Sequence, residues 1–210
     1  VFIDYSEYDQ FYRKGIAGFI FRFLSADGIE YLKTMSRWII GKDKLMSIEY
    51  AWKGQRKSVI EILKKAALLL PNSHSEYHRL SERYNFNKEY VVIPNGVDDG
   101  LFKYEPAIVK DPLLVICVAR VEGIKNQLNL IMALNNTKFN LVIIGDAAPN
   151  QQNYYRSCRD LAANNIRFID HLPQNELLYY YQQATVHALP SWFETTGLSS
   201  LEAAVVGCNI

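Results

Sequence analysis

No apolar run in this 210-residue chain approaches the length that crosses a bilayer; Ala66–Pro71 and Leu113–Ala119 are among the longest. Its three cysteines, Cys117, Cys158 and Cys208, are odd in number and scattered, with no C-x-x-C spacing. Such thiols read as reduced and structural, in a cytoplasmic setting, rather than as a disulfide framework. There is no G-x-G-x-x-G, which argues against a nicotinamide dehydrogenase. His74 and His78 stand four apart, but no H-E-x-x-H accompanies them, and no metal site is expected. Internal repeats and low-complexity tracts are missing too. The opening Val1-Phe2-Ile3-Asp4 reads as a strand rather than as a secretory leader.

Charge of one sign is also scarce, since the net charge is only +1. Residues 1–95 carry 15 Lys/Arg against 11 Asp/Glu, and residues 96–210 carry 8 against 11. Residues 11–60 hold 10 basic and 4 acidic side chains, too modest a surface to indicate nucleic acid. A hydrophobic content of 49% with 21% charged residues describes a globular protein.

What the chain does have is rhythm. Strands are predicted at Leu113–Ala119, Asn140–Ile144, Ile166–Ile169 and Val186–Leu189. Between and after them come helices at Asn126–Asn135, Asn153–Ala163, Gln174–Ala184 and Leu198–Val206. Short apolar strands alternating with helices imply βαβ units, a parallel sheet and right-handed crossovers. Gly207 stands where a helix-ending glycine belongs, and Cys208-Asn209-Ile210 reads as the start of another strand.

The first half is less regular. Helices are expected over Glu7–Leu24 and Asp27–Ile40, the second ended by Gly41, and over Gln55–Ala66, running into a strand at Ala67–Leu70. Ser73 and Glu76 have the spacing of a capping box for a helix reaching Tyr84. Tyr90–Ile93 reads as a strand before the turn signal Pro94-Asn95-Gly96-Val97-Asp98. The expected organisation is a partial N-terminal Rossmann-like domain (1–97), a linker (98–112) and a partial C-terminal one (113–210). Both sheets look cut, as in a fragment of a larger α/β protein.

Ligands of open parallel sheets bind beyond the carboxyl ends of the strands. Those ends carry Arg120, then Gly145-Asp146, then Asp170-His171, then Pro190-Ser191 and Glu194. Arg120 and Lys125 bracket a strand-to-helix turn, where two cations could hold a diphosphate. Leu189-Pro-Ser-Trp-Phe-Glu-Thr-Thr-Gly-Leu-Ser-Ser-Leu-Glu202 sets Glu194 before a glycine turn and Glu202 within the next helix. A helix start attracts phosphate, whereas flanking carboxylates suit sugar hydroxyls. The plainer alternatives are that Ser199 and Glu202 form a capping box, that Arg120 and Lys125 are solvated charges, and that His171 bonds locally.

This Glu194–Glu202 spacing, E-x7-E, resembles the motif of retaining glycosyltransferases of the two-domain GT-B fold, group 1 (family 4). The resemblance runs from about Ala67 to the last residue. It includes Val92-Ile93-Pro94-Asn95-Gly96-Val97-Asp98, similar to the family's domain-crossing segment, and Cys117-Val-Ala-Arg120 through Lys125. It implies that Arg120 and Lys125 hold the donor diphosphate with backbone amides near Gly197 and Leu198. It also implies that Glu194 contacts the transferred sugar and Glu202 the ribose hydroxyls. Arg120, Lys125 and Glu194 are then the catalytic candidates, with Gly145, His171, Gly197, Leu198 and Glu202 completing the donor site. No cofactor is implied beyond a nucleotide-diphosphate sugar as donor substrate, and no Asp-x-Asp, the metal motif of GT-A transferases, is present. Where relatives often have glycine, this chain has Asn126 and His171.

The implied acceptor is a glycan or lipid-linked sugar, with surface polysaccharide assembly as the setting. The aromatic and basic stretch Phe11–Leu24 reads either as a core helix or as a peripheral contact with the inner face of an anionic membrane. Two rival functions use the same architecture: a sugar-nucleotide epimerase or hydrolase, and a non-catalytic sugar-nucleotide-binding module.

Overall fold

The computed structural model describes residues 16–39, 48–194 and 196–210. The strand expected over Val1–Asp4, the beginning of the helix expected from Glu7, and Gly41 lie outside them. The chain divides into two compact units, Val1–Pro94 and Asn95–Ile210. Among the described residues no helix is long and apolar enough to cross a membrane.

In the first unit the described helices are α1 (Ile16–Phe21), α2 (Ala26–Ile39), α3 (Ile48–Lys65) and α4 (His74–Tyr84). Helices α2 and α3 pack together, with Tyr31 stacked on Tyr50 at 6.4 Å between ring centroids. Gly54 breaks α3 with φ 69° and ψ 176°, so Gln55, the expected start, begins only its second limb. Ser73 caps α4: its Oγ accepts from the Glu76 N–H at 3.1 Å. The Glu76 carboxylate reaches back one residue further than a standard box, accepting from the Asn72 N–H at 2.7 Å. The two expected strands shrink to one parallel bridge, Leu69 with Tyr90, continued by the Ile93 N–H donating to the Pro71 carbonyl.

The second unit is a four-stranded parallel sheet of β1 (Asp111–Val118), β2 (Asn140–Ile144), β3 (Ile166–Ile169) and β4 (Ala184–His187), ordered β3-β2-β1-β4. Its helices are α5 (Gln127–Leu134), α6 (Gln152–Leu161), α7 (Gln174–Gln183) and α8 (Leu198–Val205), with a 3-10 turn at Gly123–Lys125. Alternation along β1 and β2 separates two cores. Ile116, Val142 and Ile144 pack with Leu177, Tyr181, Ala203 and Val206 of the α7–α8 side. Val115, Cys117, Leu141 and Ile143 pack with Ile131 of α5 and Cys158 of α6. Burying both faces is what makes the strands read as continuous apolar runs.

Most element ends in this unit lie within one or two residues of expectation, and two differences bear on the packing. Strand β4 begins at Ala184 rather than Val186, because Ala184 already has extended dihedrals and pairs with Asp111. Residues 98–112, expected as a linker, belong to the second unit. Phe102 is 1% exposed and meets Tyr181 edge-on at 5.9 Å. Lys110 Nζ donates to the carbonyls of Tyr181 (2.8 Å) and Ala184 (3.1 Å), and β1 starts at Asp111. Phe102, with Leu101 beside it against the same core, and Lys110 fasten a segment that shows no regular periodicity. Gly207 takes φ 83°, and Asn209 then bridges Val186 in parallel, as a further strand beside β4 would. The three cysteines are free and buried; burial pushes the Cys117 thiol up to about 12, so it is not a nucleophile at neutral pH.

Candidate functional site

The chain leaves β1 for β2 on one side and returns to place β4 on the other, so the order of connection reverses between β1 and β4. The crevice beyond their carboxyl ends is where open α/β sheets bind ligands. Arg120 and Lys125 follow β1 and Ser191 and Glu194 follow β4, so the topology gathers them at this point.

Backbone bonds stitch the two limbs. The Trp192 N–H donates to the Ile124 carbonyl at 2.9 Å, seating the loop after β4 on the 3-10 turn that carries Lys125. Across that seam Lys125 Nζ donates to Glu194 Oε2 at 2.5 Å, with Lys125 18% exposed and Glu194 32%. Ser191 Oγ donates to the same oxygen at 3.3 Å. The Lys125 turn closes through Asn126, whose φ of 60° lies in the left-handed region that glycine and asparagine adopt most readily. Asparagine therefore fits this turn without a change of backbone.

Helix α8 starts at Gly197, which has φ 60° and supplies no side-chain cap. The Ser200 N–H already donates to the Gly197 carbonyl at 2.8 Å, so the N–H groups of Leu198 and Ser199, with the positive end of the dipole, are what this helix start offers a ligand. A Cβ at Gly197 would lie 3.5 Å from Glu194 Cγ and 3.6 Å from Ser200 Oγ, so the Glu194 side chain runs directly past this helix start. Asn95 Nδ2 donates to Thr196 Oγ1, tying the turn after Pro94 to the same loop.

The other expected site residues take separate positions. Arg120 is 65% exposed and pairs with Glu122 at 3.3 Å rather than with Glu194. Its carbonyl accepts from Gln127 Nε2 at 2.9 Å, within fully buried surroundings of Gln127. Gly145 has φ 139°, and a Cβ there would sit 2.3 Å from the Ala119 carbonyl oxygen. Close approach of the β1 and β2 ends demands glycine at that position. His171 is exposed, and its backbone N–H donates to Asp146 Oδ1 at 3.0 Å. Leu198 is 48% exposed at the first position of α8.

Glu202 does not close a capping box with Ser199, because the N-cap position is Gly197, two residues earlier than that pattern requires. It turns toward α7 instead. Tyr181 Oη donates to Glu202 Oε2 at 3.0 Å, and Gln174 Nε2 donates to Oε1 at 3.5 Å. Burial raises the Glu202 carboxyl above its usual range, an effect opposed by these two donors.

His187 has no place in the sequence reading. It is fully buried at the end of β4; its Nε2 accepts from the Val118 N–H at 3.5 Å, and its Nδ1 lies 3.4 Å from Ser200 Oγ. Acceptance at Nε2 assigns the proton to Nδ1, so the ring links the end of β1 to the first turn of α8. Burial lowers its pKa to about 4, leaving it neutral at physiological pH. A histidine within a buried strand was the available signal. Tyr181 hides better, since Tyr179 and Tyr180 beside it differ from it only in helical phase: Tyr179 is 60% exposed and Tyr181 0%.

Comparison with known proteins follows the same lines. The chain is 25% identical over 173 residues to D-inositol 3-phosphate glycosyltransferase of Corynebacterium aurimucosum, covering 71% of this chain and 41% of that protein. It is 29% identical over 125 residues to glycogen synthase of Mycobacterium tuberculosis, covering 57% of this chain and 30% of that enzyme. The chain thus spans less than half the length of these curated relatives. Among solved structures, Anabaena HepE in complex with UDP and glucose superposes with a TM-score of 0.62 at 18% identity, covering 84% of this chain and 54% of that one. Sucrose-phosphate synthase from Thermosynechococcus elongatus gives 0.64 at 21% identity, covering 78% and 45%. These likenesses bear out the α/β, GT-B-like fold. Residues 101–210, more than half of the chain, match the family model for glycosyl transferases group 1, and the chain belongs to that family.

Proposed function

We propose that the protein is a retaining glycosyltransferase, and that residues 95–210 bind its nucleotide-diphosphate sugar donor. The observation that carries this reading is the Lys125–Glu194 contact beside the uncapped start of α8. Transfer leaves negative charge on a departing diphosphate. Lys125 and the helix N-terminus would stabilise that charge as it develops, and Arg120 would join them by leaving Glu122. Glu194 would meet the transferred sugar, and Glu202 the ribose hydroxyls. Attack and departure on the same sugar face would retain the anomeric configuration.

The complexes of HepE with UDP and glucose and with UDP-glucose support a nucleotide-sugar donor by likeness of fold, and make uracil the first base to try. The acceptor would be a glycan or lipid-linked sugar in surface polysaccharide assembly, at the cytoplasmic face of the membrane. Phe19 and Phe23 on and after α1, 65% and 77% exposed, favour contact with a lipid surface. Arg13 and Lys14, which would contribute charge there, lie outside the described residues, as do Asp4 and Glu7.

The test is transfer by the full-length protein from UDP-, GDP- and ADP-sugars, with the product anomer read by proton NMR. Transfer with the donor's configuration is expected. Inversion would overturn retention, and sugar release or epimerisation without transfer would favour the hydrolase or epimerase reading. Binding without turnover would reduce the protein to a sugar-nucleotide module.

A further inference from the structure

We infer that Tyr181 is a positioning residue for the donor, fixing the orientation of the Glu202 carboxylate from the neighbouring helix. This rests on the proposed role of Glu202 toward ribose hydroxyls and adds a residue to it. Tyr181 is fully buried, so its hydroxyl depends on a protein partner, and that partner is Glu202 Oε2 at 3.0 Å. The phenol is itself held. Phe102 packs on it edge-on at 5.9 Å, the His187 ring does so at the same distance, and Lys110 bonds its carbonyl. Gln174, seven residues earlier on the same face of α7, reaches the other carboxylate oxygen at the longer distance of 3.5 Å.

The two oxygens are therefore unequal. Oε2 is committed to a rigid, buried hydroxyl. Oε1 has only a long contact from an exposed amide, and is the oxygen a ligand hydroxyl could reach by displacing Gln174. A carboxylate without the Tyr181 bond would rotate about its side chain and lose the arrangement that two adjacent ribose hydroxyls need.

Calorimetry on the full-length protein tests this. The diphosphate binding most tightly among UDP, GDP and ADP is the probe, and its 2′,3′-dideoxy analogue is the control. Tyr181→Phe keeps the ring and removes only the hydroxyl. The variant is expected to bind the probe roughly tenfold more weakly, the scale of one bond to a charged group, while binding the dideoxy analogue as the wild type does. In a Glu202→Ala background, Tyr181→Phe should add no further loss, whereas a merely structural defect would weaken both ligands and add to the first loss. Unchanged affinity in Tyr181→Phe, with Glu202→Ala weakened, would overturn the inference and leave the donor-site reading standing. Unchanged affinity in Glu202→Ala, or no binding of any diphosphate, would overturn that reading and the inference with it.

Discussion

The ammonium of Lys125 and the carboxylate of Glu194 meet across the crevice between the ends of β1 and β4, at 2.5 Å. They come from segments 69 residues apart in sequence, so only the reversal of strand order brings them together. Each neutralises the other at the start of α8. A diphosphate sharing Lys125 would weaken its hold on Glu194.

Removing either partner should therefore damage turnover more than folding. Lys125→Ala and Glu194→Ala in the full-length enzyme are each expected to lower kcat/KM by roughly 10²–10³-fold. Steady-state kinetics with the preferred donor checks this. Wild-type turnover in both variants would reject the site.

Gly145 predicts an effect on stability instead. An alanine Cβ would lie 2.3 Å from the Ala119 carbonyl oxygen, a backbone atom that cannot swing away, at a φ of 139°. Gly145→Ala should destabilise the protein by about 3 kcal/mol or more, measured by urea unfolding. The expected ligand contact at Gly145 is thus secondary to the close approach that requires glycine there.

His187 predicts a pH dependence. Its pKa is about 6.5 unfolded and is lowered by burial to about 4 in the fold. Between those values the unfolded chain binds a proton that the folded chain excludes. Stability from this group is thus present above about pH 6.5 and is lost as pH falls toward 4, by up to about 3 kcal/mol. Subtracting the pH–stability curve of His187→Phe from that of the wild type should isolate this slope. A flat difference between pH 6.5 and 4 would show that the imidazole is not buried neutral.

Much of the second unit was legible because its strands are buried on both faces and its helices are short and regular. The bounds of β2 and β3 match expectation residue for residue. In the first unit, strand pairing among the described residues is limited to the Leu69–Tyr90 bridge and the backbone bonds beside it, and apolar runs such as Ala67–Leu70 cannot announce how little they pair. Residues 98–112 read as a linker because no periodicity marks the side chains that fasten them, Phe102 and Lys110. Candidate site residues at strand ends were named from position along the chain. The supports for Glu202 were not, since Tyr181 and His187 become neighbours of the helix start only once α7 and β4 fold against α8.

The central claim is that Lys125 and the start of α8 hold a diphosphate, and a crystal structure of the full-length protein with UDP tests it most directly. The expected result is a β-phosphate within hydrogen-bonding distance of Lys125 Nζ and of backbone N–H groups in the first turn of α8, with the ribose hydroxyls on Glu202. A diphosphate bound elsewhere, with the Lys125–Glu194 pair and the α8 start untouched, would contradict it.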